Sequence, residues 1–274
     1  MRVCVVTGCS SGLGRLVLSR LVQSPQHWRV LAGYRSMSPP PPLESSNQAS
    51  TVEWIPLDLA SENSVDGFIK QVTQRVRGLS TGSLDCLLLN AATWNSTHVE
   101  TDTKFSQEVH VNHFAQYRIA TQLLPLLTKP STTSTPRPRV IFTSSSLQNT
   151  LRDLQSLDDL EQVLGNCDHP LSTPKNRYAC SKLVQSIAFH LWAQDNLVDV
   201  IGVSPGFVPT TGLSRSSPGW QRWIMRNIVY WFPFCSTEQQ GDQGRGGLYT
   251  ELQTLMEDEN DERWDKFKQI WIPQ

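Results

Sequence analysis

Tyr178 and Lys182 are the residues of this 274-residue chain whose types and spacing point most directly to chemistry. They lie four residues apart in RYACSKLVQSIAFHLWAQ, whose pattern predicts a helix, so both side chains leave the same helix face. A free tyrosine has a pKa of about 10, and a neighbouring ammonium lowers that pKa by stabilising the tyrosinate. The pair is a candidate for general acid–base catalysis, although the spacing also fits an ordinary amphipathic helix.

A glycine-rich stretch near the start of the chain, TGCSSGLG, is the second chemical signal. Its three glycines, Gly8, Gly12 and Gly14, follow an apolar run and precede a helical pattern. Such a turn lets the backbone approach a phosphate group, and the N-terminus of the following helix supplies N–H groups. No Gly-Lys-Ser/Thr follows, which excludes a P-loop, but three glycines alone are equally compatible with a simple turn.

Apolar runs that alternate with helical patterns must position these groups. The predicted strands are 3–6, 28–34, 52–59, 84–90, 139–145 and 198–205. Because the runs are apolar on both faces, they predict a parallel sheet covered by helices on both sides. The predicted fold class is therefore α/β, a Rossmann-type doubly wound parallel sheet. Since neither a linker nor a repeat interrupts the sequence, it predicts a single domain over 1–274.

The composition excludes several functional classes. Lys and Arg number 24 against 25 Asp and Glu, so nucleic acid is not expected as a partner. The six cysteines form no C-x-x-C pair, which indicates reduced thiols in an intracellular protein and no metal site. The longest apolar run, 228–234, is shorter than the ~18 residues of a membrane span. A strand at the first residues leaves no room for a signal peptide, so we expect a cytoplasmic protein.

Several short segments occur in the order in which the short-chain dehydrogenase/reductase family has them. They are TGCSSGLG, LDL with Asp58 and Leu59, NAA with Asn90 and Ala91, VNH with Asn112, FTSSS, YACSK and SPGFVPT. Together they resemble the family's pattern from Arg2 to about Leu255, with Ala92 in place of a glycine. Each match is weak alone, but their common order favours membership, and the glycine stretch is then a phosphate-binding turn.

The resemblance implies a nicotinamide cofactor and a set of residues that bind it. The set is Gly8, Ser10, Ser11, Gly12, Leu13, Gly14, Arg35, Asp58, Leu59, Asn90, Ala91, Tyr178, Lys182, Pro205, Gly206, Val208 and Thr210. It also implies that Tyr178 donates the proton, and that Lys182 tunes Tyr178 and orients the ribose. Asn112 would fix a helix kink and a water that relays protons to the lysine; an ordinary helix-surface asparagine is the alternative.

Three consecutive serines compete for the role of polarising the substrate oxygen. Ser144, Ser145 and Ser146 end a predicted strand, where neighbouring side chains face opposite ways. Alignment with the family's usual strand ending places the catalytic hydroxyl at Ser145 and leaves its neighbours as turn residues.

The end of the second predicted strand bears on the choice of nucleotide. It reads Gly33-Tyr34-Arg35-Ser36, without the acidic residue that would bind the ribose 2′-hydroxyl of NAD. Arg35 can instead pair with the 2′-phosphate of NADP, with Ser11 and Arg15 as further candidates. The sequence therefore favours NADP(H) over NAD(H), unless Arg35 is only an exposed loop residue.

The segment after the last predicted strand bears on the substrate. The long insert after Ser145 and the run TTGLSR resemble the branch of retinol-dehydrogenase-like enzymes and light-dependent protochlorophyllide reductases, but Phe207 stands where the photoenzymes have a cysteine. Dense aromatic residues at 220–234, within an expected lid at 207–240, indicate a bulky apolar substrate such as a retinoid, steroid, polyketide or fatty aldehyde. Core packing and peripheral membrane contact are the alternatives.

The expected function is hydride transfer between NADP(H) and a carbonyl or alcohol, most simply as carbonyl reduction. A catalytically silent NADP(H)-binding sensor or scaffold and a protochlorophyllide-reductase-like enzyme are the rival interpretations. The resemblance also allows a homodimer, since family members commonly assemble as dimers or tetramers.

Overall fold

The computed structural model describes residues 1–43, 50–101, 103–128, 137–194, 198–205 and 270. The strands are β1 (Arg2–Thr7), β2 (Trp28–Tyr34), β3 (Thr51–Pro56), β4 (Cys86–Leu89), β5 (Arg139–Thr143) and β6 (Asp199–Val203). The α-helices are α1 (Gly12–Gln23), α2 (Glu62–Arg77), α3 (Gln107–Val109), α4 (Ala115–Leu127), α5 (Leu157–Gly165) and α6 (Pro174–Gln194). A π-helical turn, His110–Phe114, joins α3 to α4, and a 3-10 helix spans Ser146–Thr150.

The six strands form one sheet in the order β3-β2-β1-β4-β5-β6, and every neighbouring pair is parallel. The order changes direction between β1 and β4, which is the switch point at which doubly wound sheets bind their ligands. Val5 of β1 pairs with Leu31 on one side and with Leu87 on the other, and all three are fully buried. The predicted doubly wound α/β fold is confirmed.

The chain divides into two compact units. Unit 1 comprises Met1–Ala92, Ala115–Thr143 and Phe189–Val203 and contains the whole sheet. Unit 2 comprises Thr93–Phe114, Ser144–Ala188 and Ser204–Gln274. The single domain over 1–274 therefore stays a prediction.

Helix α2 illustrates how the sequence builds unit 1. Ser61 caps its N-terminus by accepting a hydrogen bond from the amide of Ser64, and its apolar residues recur at helical spacing. The buried face consists of Val65, Phe68, Val72 and Val76. Elsewhere in the unit, Phe189 stacks on Phe142 of β5 with ring centroids 4.8 Å apart.

Several strands are shorter than the sequence predicts. β3 ends at Pro56 rather than at residue 59, and β4, β5 and β6 also end before the predicted positions. After Pro56 the amide of Asp58 donates to Ser64 Oγ, and the Asp58 carboxylate accepts from the amide of Ala60. Side chains thus replace the sheet as hydrogen-bond partners, which apolar runs alone do not reveal.

The long insert after Ser145 contains a helix of its own, α5. In α5 the side chain of Ser156 accepts from the amide of Asp159, whose carboxylate accepts from the amide of Ser156. This reciprocal capping box explains why a helix begins there.

In the described ranges no helix has both the length and the apolarity that crossing a bilayer requires.

Candidate active site

The backbone of the glycine-rich turn in unit 1 favours glycine at positions 8, 12 and 14. Gly8 and Gly12 have φ values of +66° and +56°, in the left-handed region that favours glycine. A Cβ on Gly14 would lie 2.2 Å from the carbonyl oxygen of Gly8, and one on Gly8 would lie 2.5 Å from Ala91 Cα. Helix α1 begins at Gly12, so its first amides belong to this turn. The turn therefore has the tightness and the helix N-terminus that a phosphate cradle needs.

The turn is tied to the end of β4 by side chains. Asn90 Nδ2 donates to the carbonyl of Gly8 at 2.9 Å, and the amides of Asn90 and Ala91 donate to Thr7 Oγ1 at 3.1 and 3.2 Å. Gln116 Nε2 donates to the carbonyl of Ala91 at 2.6 Å. Sequence reasoning missed these roles of Thr7 and Gln116, because the contacts join segments that are 25 to 84 residues apart in the chain.

The two candidate arginines at the nucleotide turn differ in their surroundings. Arg35 is exposed directly after β2. Arg15 donates to the carbonyls of Pro41 and Pro42 at 2.8 and 3.3 Å, and its guanidinium lies 6.0 Å from the Trp54 ring centre. Hydrogen bonds of Arg15 are thus directed to the proline-rich segment, whereas Arg35 projects into solvent.

In unit 2, Tyr178 lies on α6 and is only 5% exposed. Its hydroxyl makes a side-chain hydrogen bond with Ser145, which precedes the 3-10 helix and accepts from the amide of Leu147. Ser144 is instead hydrogen-bonded with Ser186 at 3.1 Å.

The third serine of the run, Ser146, has an exposed side chain, and its amide donates to Ser204 Oγ. Among these three candidates, Ser145 is therefore the one that the structure places with Tyr178. Its catalytic role stays a prediction.

Burial sets the protonation of Tyr178. Burial raises the pKa of its phenol to about 12, against the hydrogen bond from Ser145, which lowers it. The pKa is raised because the ring is removed from water, which disfavours the tyrosinate. That the Lys182 ammonium and the positive nicotinamide ring together bring this pKa toward the working range stays a prediction.

Lys182 is completely buried one turn after Tyr178. Its Nζ donates to Gln185 Oε1 at 3.0 Å, and burial lowers its pKa from 10.5 to about 7. Gln185 was not predicted, although its position three residues after Lys182 places both on one helix face. A lysine with this pKa can both hold and release a proton near neutrality.

Asn112 lies fully buried in the π-helical turn rather than on a helix surface. Its Oδ1 accepts from the amide of Thr93 at 2.7 Å, and its Nδ2 donates to the carbonyl of Thr93 and to Ser181 Oγ, each at 3.0 Å. The π turn is a local departure from α-helical geometry of the kind often found at functional sites. Its predicted part in a proton relay is not tested by these contacts.

Sequence reasoning also missed an aromatic contact and an ion pair in unit 2. Trp94 stacks on the ring of Tyr178, and the buried Arg177 pairs with Glu108.

The remaining predicted site residues lie in the glycine-rich turn, at the start of α1 and shortly after β3. They are Ser10, Ser11, Leu13 and Leu59. Gly206, Val208, Thr210 and the lid at 207–240 lie outside the described residues, whereas Pro205 is described and exposed. The described ranges contain no group of His, Cys, Asp and Glu that could hold a metal ion.

Comparison with known proteins identifies the family. The profile of the family described as short chain dehydrogenase matches residues 2–154, more than half of the chain. The chain belongs to the short-chain dehydrogenase family. This dehydrogenase is 29% identical over 224 residues to a short-chain dehydrogenase/reductase of Pestalotiopsis microspora, covering 77% of this chain and 71% of that one. It is 28% identical over 248 residues to the polyprenol dehydrogenase of Mus musculus, covering 87% and 68%.

A solved structure agrees on the fold. The alcohol dehydrogenase of Thermococcus sibiricus, complexed with 5-hydroxy-NADP, aligns with a TM-score of 0.56 at 20% identity over 80% of this chain and 81% of that one. The resemblance found in the sequence motifs is thereby confirmed at the level of family and fold. The protein is an oxidoreductase that acts on a carbonyl or alcohol group.

The buried lysine generates a prediction about stability. Its folded pKa of about 7 lies below its unfolded value, so between about pH 7 and 10.5 the unfolded chain binds a proton that the native protein has released. The free energy of unfolding therefore gains a contribution as pH rises through this window, and this contribution is lost as pH falls from about 10.5 to 7. Lys182→Met lacks this titrating group. The free energy of unfolding of the variant should therefore exceed that of the wild type by more at pH 6.5 than at pH 9.5.

Urea unfolding at the two pH values measures the difference. Lys175→Met is the matched control, because Lys175 is exposed on the same helix and its removal should leave the pH dependence unchanged. Parallel stability profiles for Lys182→Met and the wild type would contradict the assignment.

Proposed function

We propose that this protein reduces the carbonyl group of a bulky apolar substrate with NADPH, using Tyr178 as the proton donor. One observation carries the proposal: Tyr178 is hydrogen-bonded to Ser145 and followed one helical turn later by a buried lysine. A tyrosine, a serine and a lysine in this relation form a general acid, a hydrogen-bond donor for the substrate oxygen and a source of protons.

The cofactor fits the residues that the chain supplies for it. The turn at Gly8, Gly12 and Gly14 leaves no room for a Cβ at Gly8 or Gly14, so its backbone can lie against a pyrophosphate. Asn90 and Ala91 are hydrogen-bonded to Gly8 and Thr7 beside this turn. The family resemblance implies that Lys182 holds the ribose. When bound, the nicotinamide supplies the hydride; the protein contributes orientation, exclusion of water and the proton.

The protonation state of Tyr178 is compatible with its proposed role as the proton donor. Because burial keeps the pKa of the phenol near 12, the side chain carries its proton at neutral pH and can donate it to an oxygen that gains charge. Ser145, which contacts the same hydroxyl, can donate a hydrogen bond to that oxygen. Lys182, with its pKa near 7, can return a proton to the tyrosinate that the reaction leaves.

Two further features support the choice of NADPH and of an apolar substrate. Arg35 is exposed after β2, and the segment 33–36 contains no acidic residue to repel a 2′-phosphate. The sequence at 220–234 is dense in aromatic residues, a composition that suits the site of a bulky apolar substrate. Among the relatives, the polyprenol dehydrogenase is named for an apolar alcohol and the archaeal enzyme is complexed with an NADP derivative. Cytoplasmic location, a homodimer and membrane contact through the lid remain predictions.

Tyr178→Phe tests the general acid. The variant should lose turnover by about 100-fold or more, because no side chain then supplies the proton, while NADPH binding should change little. Turnover on a panel of apolar aldehydes and ketones and fluorescence titration with NADPH measure the two effects. Tyr117→Phe, which removes a hydroxyl from another buried tyrosine, is the control and should retain activity.

Retained turnover in Tyr178→Phe would remove this residue from the mechanism. NADPH binding by the wild type without turnover of any carbonyl or alcohol would instead favour the silent sensor or scaffold.

Arg35→Glu tests the nucleotide preference. Reversing this charge should weaken NADPH binding by about ten-fold or more and leave NADH binding equal or stronger, because a carboxylate repels the 2′-phosphate and accepts from a 2′-hydroxyl. Titration with both nucleotides measures the ratio of affinities. Arg20→Glu, the same change at an exposed position of α1, should leave that ratio unchanged. An unaltered ratio in Arg35→Glu would refute the role of Arg35.

A further inference from the structure

Trp94 lies directly against the proposed general acid. Its indole stacks on the ring of Tyr178, with centroids 4.8 Å apart and planes inclined at 30°. Trp94 is half-buried, so the stack covers one face of the phenol while leaving part of the indole accessible. Offset stacking of this kind favours one orientation of both rings.

Thr93, the residue before Trp94, is held by hydrogen bonds between its backbone and the side chain of Asn112. Asn112 accepts from the amide of Thr93 at 2.7 Å and donates to the carbonyl of Thr93 at 3.0 Å. Two hydrogen bonds to one residue fix the backbone on the N-terminal side of Trp94. Asn112 itself is fully buried, so these bonds are protected from exchange with water.

The residue after Trp94 is held by a buried ion pair. Glu108 Oε1 accepts from the amide of Asn95 and from Arg177 Nε, each at 3.3 Å. Arg177 Nη2 also donates to the carbonyl of Asn95 at 3.2 Å. The side chains of Arg177 and Glu108 are 3% and 0% exposed, and such a pair gains little net stability after its desolvation cost. Its clearer effect is geometric, because Arg177 directly precedes Tyr178.

We propose that Trp94 is a positioning residue for Tyr178: clamped on both sides by buried polar groups, its indole fixes the plane of the phenol and keeps water from one face. This inference rests on the proposed function, in which Tyr178 donates the proton. The Arg177–Glu108 pair also acts on the other side of the stack between Trp94 and Tyr178. Both members of the pair bond the backbone of Asn95, and Arg177 directly precedes Tyr178.

The environment of the phenol indicates what removal of the indole would change. The charged and titratable groups on the elements that carry or contact Tyr178 lie on α6, on α3 and in the adjoining π-helical turn. They are Lys175, Arg177, Cys180, Lys182 and His190 of α6, Glu108 of α3, and His110 and His113 of the turn. Arg177 and Glu108 pair with each other, and the raised pKa of Tyr178 comes from burial. Loss of the indole should therefore admit water, bring the phenol titration toward that of an exposed tyrosine and lower kcat by about ten-fold.

Fluorine NMR of protein containing 3-fluorotyrosine measures the phenol without requiring turnover. The Tyr178 resonance is the one missing from Tyr178→Phe, and the fluorine makes the phenol more acidic, which moves its titration to lower pH. In Trp94→Leu and Trp94→Met this resonance should titrate at lower pH than in the wild type. Trp94→Phe, which keeps an aromatic stack, should restore most of the wild-type titration and most of kcat.

Trp28→Leu is the matched control, because Trp28 is a similarly large buried residue of unit 1. It should lower stability without moving the Tyr178 resonance or its titration. A wild-type titration in both Trp94→Leu and Trp94→Met would overturn the proposal, since a merely structural tryptophan would affect stability alone. Absence of turnover in the wild type would refute the proposed function, and the fluorine titration would still decide the role of Trp94.

Discussion

The burial of Tyr178 and Lys182 on one helix is the constraint on which the candidate active site depends. Burial disfavours the charged form of each group, so it raises one pKa and lowers the other. The result is a phenol that keeps its proton at neutral pH, followed one helical turn later by a lysine that exchanges one there. Since buried polar groups need partners, Ser145 and Gln185 are as necessary to this arrangement as the two ionisable residues.

The other unit is governed by a steric constraint. The turn between β1 and α1 has no space for a Cβ at Gly8 or Gly14, and the side chains of Asn90 and Gln116 hold the neighbouring strand end in place. Glycine therefore serves two purposes here: it permits the backbone conformation and it leaves the surface open to a bulky anion.

Much of this architecture is readable from the sequence. Apolar runs alternating with helical patterns predicted the parallel sheet, because such runs have few other ways to be buried. Strand ends were less predictable: β3 stops at Pro56 because Ser64 and Asp58 take over its hydrogen bonds, and these contacts depend on where α2 packs. The motif around Tyr178 was visible because four-residue spacing defines one helix face.

The contacts of Trp94, Arg177 and Glu108 were not visible in the sequence, because they join segments up to 84 residues apart, as from Trp94 to Tyr178. No local pattern encodes them. The effect of burial on the pKa of Tyr178 was not visible either, since the sequence indicates the neighbouring lysine but not how completely the phenol is buried. Local motifs thus predict which residues of one helix share a face, whereas burial and contacts between distant segments depend on the fold.

The most direct test of this account is a reaction with NADPH carrying deuterium at C4 of the nicotinamide, on one face and then on the other, with an apolar ketone or aldehyde as acceptor. Mass spectrometry and NMR of the alcohol locate the label. The account predicts that one of the two cofactors places a single deuterium on the former carbonyl carbon, while the hydroxyl proton comes from solvent through Tyr178. An alcohol without deuterium from either cofactor, or with deuterium at another carbon, would contradict carbonyl reduction by hydride transfer.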